Sequence, residues 1–195
     1  MSLIITNSFN TNYKDASSIF DFSTYDANGN LVNLKEKYGG KVCLILNATT
    51  KGSDVKGMLK NLRNIKNSFS EKGKSAHYCI PWKLYIKIHF RFADFAILLF
   101  PCFQFGSSDT VKGFLTYLKE NSFENEFDVF NETQVNGPNA SELFKFLKLK
   151  QPGFAGGIIN KNFTMFLVNK KGEPVQRWMS SIHPNVIIDH IQQLI

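Results

Sequence analysis

Apolar residues run without a break from Val42 to Leu46 (VCLIL) and again from Ala96 to Phe100 (AILLF). Runs this short and continuous predict strands buried on both faces of a sheet, the second stopped by Pro101. Between them Val55, Leu59, Leu62, Ile65 and Phe69 recur at three and four residues. That spacing predicts an amphipathic helix ending near Gly73. Earlier, Phe20 to Leu34 alternates on either side of Asp26-Ala27-Asn28-Gly29, a hairpin pattern in which Asn-Gly supplies the left-handed conformations of a tight turn. Helices follow at Val111 to Asn121, where Gly113 weakens the pattern, and at Leu143 to Leu149. Gln151 to Gly157, with Pro and three Gly, reads as a loop. Phe163 to Val168 reads as a third strand, and Lys170 to Glu173 turns the chain into a fourth, Pro174 to Trp178. Pro184 opens a last helix, with Val186, Ile187, Ile191 and Leu194 facing inward.

The order is hairpin, strand–helix–strand, helix, strand–strand–helix. A crossover helix implies parallel pairing and a hairpin implies antiparallel pairing. The expectation is an α/β domain with a central mixed sheet, helices on both faces and an N-terminal hairpin. At 195 residues one domain suffices, spanning 18–195.

Composition narrows the function classes. The net charge is +7, but residues 74–94 alone carry +3 of it, so no basic surface runs along the whole chain. Three cysteines, Cys43, Cys79 and Cys102, are too few for a disulfide framework, and none has zinc-site spacing. A reducing, cytoplasmic setting is expected. The N-terminal apolar run of three residues is too short for a signal peptide or a membrane span.

Four blocks carry a resemblance. They are GKVCLILNATTKG (Gly40 to Gly52), FPCFQFG (Phe100 to Gly106), VNGPNASELFKFLK (Val135 to Lys148) and NFTMFLVNKKGEPVQRW (Asn162 to Trp178). In this order they resemble the glutathione peroxidases, from about Ser18 to Leu194. The resemblance implies a thioredoxin-like fold. It also implies a thiol-dependent reduction of hydrogen peroxide or lipid hydroperoxides, with glutathione or thioredoxin as reductant and no cofactor. In that family a cysteine or selenocysteine attacks the peroxide as its ionised form, and Gln, Trp and Asn surround it with hydrogen-bond donors.

This chain departs from that tetrad. The family's nucleophile motif resembles NVASKCG, and the matching run Asn47 to Ser53 puts Gly52 at the nucleophile; anchoring on the helix period puts Ser53 there instead. Ser108 stands at the Gln of a motif resembling FGGQEP. Lys161 stands at the Trp of a motif resembling KWNFTKFLV, where Asn162 is retained. The resolving cysteine of thioredoxin-dependent members has no counterpart in Val111 to Asn125. The expectation is a degenerate, monomeric member with weak or lost activity. Cys102, just past a strand, is the one candidate for a surrogate thiol; its plain reading is an inherited strand-end cysteine.

Residues 74–94 interrupt the family pattern. Trp82, Leu84, Ile86, Ile88, Phe90 and Phe92 alternate with Lys83, Tyr85, Lys87, His89 and Arg91. The strand period with one apolar and one basic face admits three readings: an added edge strand or a disordered excursion, a surface for a membrane or nucleic acid, or a stretch foreign to the native coding sequence. His77, His89 and Cys79 lie in it at spacings too loose for a metal site. Lys51 and Lys161 flank the nucleophile position, either attracting an anion or simply solvated.

Overall fold

The structure is a computed structural model and describes residues 11–69, 94–106, 109–153 and 155–195. Its five-stranded sheet has the order β5-β4-β3-β6-β7. The strands are β3 (Val42–Ala48), β4 (Phe95–Pro101), β5 (Asp128–Val129), β6 (Met165–Val168) and β7 (Pro174–Trp178). β3 pairs in parallel with β4, β4 in parallel with β5, and β6 runs antiparallel to both β3 and β7. β1 (Ser23–Tyr25) and β2 (Leu31–Asn33) form a separate antiparallel hairpin. The mixed sheet and the N-terminal hairpin are as the sequence predicts.

All seven residues of β3 are buried, because helices cover both faces. Val42, Leu44, Leu46 and Ala48 point to one side. There they pack with α2 (Val55–Ser68), α3 (Val111–Glu120) and α5 (Pro184–Leu194). Cys43 and Ile45 point to the other, against α1 (Leu34–Tyr38) and α4 (Glu142–Lys150). Phenylalanine fills this second core: Phe100 stacks on Phe130 with centroids 4.5 Å apart and meets Phe144 edge-on at 5.4 Å. Such ring pairs add to the area they bury.

Some boundaries differ from expectation. α2 ends at Ser68, capped by Phe69, and Gly73 lies outside the described residues. Pro101 is the last residue of β4, opposite Ala48, rather than the first after it. β5 reaches only to the partner of Leu99, so the N–H that Pro101 lacks is not needed there. Phe163 stands before β6 with φ +58°. Val186 is 36% exposed, one position off the face that buries Ile187 and Ile191. α1 and β5 are too short to leave a periodic signal, and the sequence does not show them.

Gly113 has a specific use. Thr110 caps α3 by accepting from the Gly113 N–H at 3.0 Å, and a side-chain carbon at Gly113 would come within 2.1 Å of Asp109 Oδ1. The glycine that weakens the helical pattern leaves room for the acidic residue before the cap. Ser141 caps α4 in the same manner, accepting from Phe144 N–H at 3.3 Å. Ser141→Ala is expected to cost about 1 kcal/mol in urea unfolding. A neutral result would show that α4 is held by its buried face alone.

Candidate functional site

The C-terminal end of β3, the start of α2 and the turn before β6 enclose an open cleft of about 410 Å³. Gly52, Ser53, Lys161 and Asn162 all line it, together with Lys51 and Phe105. Residues more than a hundred positions apart in the chain therefore share one site. Ser108 lies outside the described residues, as do His77, Cys79 and His89.

Two side-chain amides build the wall that carries Lys161 and Asn162. Asn47 sits in β3 and is fully buried. Its Oδ1 accepts from Thr164 N–H at 3.0 Å and its Nδ2 donates to the Lys161 carbonyl at 3.2 Å. The Asn47 carbonyl accepts from Phe163 N–H at 2.8 Å. Three bonds from one residue hold the turn in which Phe163 takes a left-handed conformation, unusual for a bulky side chain.

Asn136, from the NGPN block, holds the same turn from its other end. Its Oδ1 accepts from Ile159 N–H at 3.1 Å and its Nδ2 donates to the Ile159 carbonyl at 2.5 Å. Gln104, from the FPCFQFG block, in turn fixes Asn136. Gln104 Oε1 accepts from Val135 and Asn136 N–H at 2.7 and 3.0 Å, and Nε2 donates to the Asn136 carbonyl at 3.0 Å. The sequence blocks that look chemical are, at these positions, a chain of amide clamps. Sequence reasoning missed these roles; the signal was the recurrence of Asn and Gln inside the blocks that carry the resemblance.

Gly52 is exposed. A side-chain carbon built there meets only Val55 Cγ2, at 3.4 Å, among the described residues within 4 Å. Ser53 is also exposed, and the Asp54 carboxylate caps α2 by accepting from Gly57 N–H at 3.0 Å. Thr50 donates to Asp109, tying the Gly52 loop to the start of α3. Asn162 Oδ1 is buried and has no hydrogen-bond partner among the described residues.

Cys102 is elsewhere. It is fully buried in the core on the other face of the sheet from Val55 and Phe163, which line the cleft. Burial pushes its thiol above the ordinary value, against hydrogen bonds at Gln104 and Val135 that pull it down. Cys43 is buried in β3, and desolvation pushes its thiol up to about 12. Both thiols therefore hold their protons at neutral pH, and a protonated thiol is a poor nucleophile. In differential alkylation at pH 7 with peptide mass readout, Cys102 is expected to stay unmodified in the folded protein and to react fully in guanidinium. Rapid native-state labelling would contradict its placement. Among the described residues no three His, Cys, Asp or Glu side chains group as a metal site. No described helix is long and apolar enough to cross a membrane.

A parallel β3–β4 core extended by antiparallel β6 and β7, with a cleft at the C-terminal end of β3 where α2 begins, defines a thioredoxin-like protein. A thioredoxin-family thiol:disulfide interchange protein from Chlorobium tepidum shares that fold at TM-score 0.55 and 10% identity, over 89% of this chain and 92% of its own. The relationship that matters is nearer. The Glutathione peroxidase family model matches residues 82–148. A glutathione peroxidase of Schistosoma mansoni is 32% identical over 190 residues, covering 95% of this chain and 97% of that protein. The crystal structure of Trgpx in apo form superposes with TM-score 0.65 at 31% identity, over 92% of this chain and 95% of its own. The chain belongs to the glutathione peroxidase family.

Proposed function

We propose that this protein is a glutathione peroxidase family member that keeps the fold and the cleft but has lost the residue that performs the family's chemistry. One observation carries the reading: Gly52 and Ser53, the two residues that the sequence resemblance aligns with the family's nucleophile, both line the cleft, and no described residue lining it is a cysteine. Peroxide reduction needs a soft, ionisable nucleophile. The Ser53 hydroxyl does not supply one. Of the three activating donors Asn162 alone is retained, with Lys161 in place of Trp and Ser108 in place of Gln.

The alternative, a residual peroxidase working through Cys102, is disfavoured by that residue's burial on the far face of the sheet and its raised thiol. Were the chain active by the family route, its partners would be a peroxide and glutathione or thioredoxin, with no cofactor. We place it as a monomer in the cytoplasm, where reduced cysteines persist.

Thioredoxin-coupled turnover separates the readings. Thioredoxin is itself a protein and can reduce only an oxidised sulfur, a sulfenic acid or a disulfide, at or near this protein's surface. The expected result is no consumption of hydrogen peroxide or of a lipid hydroperoxide above the rate without this protein. Turnover abolished by Cys102→Ser would establish the alternative.

A further inference from the structure

We infer that the groove between α3 and the N-terminal hairpin binds an extended acidic segment of a partner protein, one with two carboxylates three residues apart. The groove encloses about 500 Å³ and shares no lining residue with the cleft over Gly52. It is therefore independent of whether the chain keeps a peroxidase.

One wall is a face of α3. Lys112, Leu115, Thr116 and Lys119 border the groove, at helical positions i, i+3, i+4 and i+7. At 1.5 Å per residue the two lysines are set about 10 Å apart along the helix. Both are exposed, and no ion pair between described residues involves either. The opposite wall is the hairpin turn, which is pinned beside β5. Ala27 N–H donates to the Val129 carbonyl at 3.0 Å, and Asn131 N–H to the Tyr25 carbonyl at 2.9 Å. Between the walls, Leu115 and the partly buried Phe127 and Val129 supply an apolar lining.

The charges decide the sign of the ligand. Lys37 also borders the groove, but Asp128 takes it at 3.0 Å. Asp26 is turned into its own loop. It accepts from the Asn28 and Asn30 N–H groups at 2.9 Å and from Asn30 Nδ2 at 3.1 Å. Lys112 and Lys119 then stand against Glu124 alone among the groove's charges, which leaves the groove positive.

A cation at each end of an apolar stretch fits a linear ligand with an anion at each end. An extended peptide advances about 3.3 Å per residue, so carboxylates on residues i and i+3 span the distance between the lysines. An apolar residue between them lies over Leu115 and Phe127, which a compact anion would leave uncovered. The exposed amides of Asn28 and Asn125, each both donor and acceptor, suit a peptide backbone.

The test is fluorescence anisotropy of a fluorescein-labelled Ser-Glu-Leu-Ser-Glu-Ser peptide with the intact protein at low salt. Saturable binding is expected, weakening as salt is added. Lys112→Ala and Lys119→Ala each weaken it about two- to fivefold, the worth of an exposed ion pair. Glu124→Gln strengthens it. Lys112→Glu combined with Lys119→Glu abolishes it, and that doubly reversed protein binds instead the peptide with Lys at both Glu positions, which a misfolded variant cannot do. Lys56→Glu combined with Lys60→Glu, an equal change of charge at exposed positions of α2, leaves binding as in the wild type. No saturable binding in the wild type, or binding that survives the double reversal on α3, overturns the inference. Equal affinity for a peptide with its two Glu adjacent, or for tripolyphosphate, overturns it as well, since either shows an adventitious anion surface only.

Discussion

Gly52→Cys is expected to give this protein a thiol that peroxide oxidises to a sulfenic acid. The site is ready for the side chain. A carbon at position 52 meets only Val55 Cγ2 within 4 Å among the described residues, at 3.4 Å, so the substitution requires little more than a small movement of one methyl group. The new sulfur would stand just before α2, a 14-residue helix whose first N–H groups favour negative charge, and beside Lys51 and Lys161. Its thiol is therefore expected to ionise more readily than Cys43 or Cys102. Activity of the single variant should remain modest, because two of the family's three donors are replaced. Adding Ser108→Gln and Lys161→Trp is expected to raise the rate by about a hundredfold, the typical worth of a donor aimed at developing charge. Ser53→Cys is the matching control for the other register. Stopped-flow peroxide consumption with intact-mass detection of the trapped adduct checks both. An adduct on the Ser53→Cys variant but none on the Gly52→Cys variant would move the nucleophile position by one residue.

Asn47→Leu should produce the largest loss of stability in the neighbourhood of the cleft. Asn47 is 0% exposed and makes three bonds to the turn between Lys161 and Thr164, two of them through its side chain. The leucine is of similar size, so the effect comes from hydrogen bonding. The Thr164 N–H, buried at 3.0 Å from Asn47 Oδ1, loses its partner, whereas the Lys161 carbonyl keeps the Thr164 hydroxyl at 3.0 Å. One orphaned buried donor together with the lost bonds costs about 3 kcal/mol. For a domain of this size that lowers Tm by about 8 °C. Phe163 at φ +58° compounds the effect, since its left-handed conformation persists only while the turn is held at both ends. A Tm shift of a degree or less in calorimetry would show that Asn136 holds the turn without help.

The sheet was legible in the sequence where burial is complete. β3 and β4 announce themselves as apolar runs because both faces are covered, and α2 because one face is not. What failed was what depends on contacts distant in sequence. β5 has two residues and exists only through pairing with Leu98 and Leu99. α1 has five, with Asn33 as its cap. At the site, Gly52, Ser53, Lys161 and Asn162 were brought together by family resemblance and not by any periodicity, and the structure lines one cleft with them. The amide clamps stayed hidden because Asn47 to Thr164 spans 117 residues and Asn136 to Ile159 spans 23. Gly113 read as a weak point of a helix, and only the position of Asp109 shows why glycine stands there.

The most direct measurement is the intact mass of the purified protein after exposure to one equivalent of hydrogen peroxide, with a sulfenic-acid trap and no added thiol. The account predicts an unmodified mass and undiminished peroxide. A single trapped adduct formed within seconds, mapped by peptide mass to any cysteine of the protein, would contradict it and give the protein a peroxidatic thiol of its own.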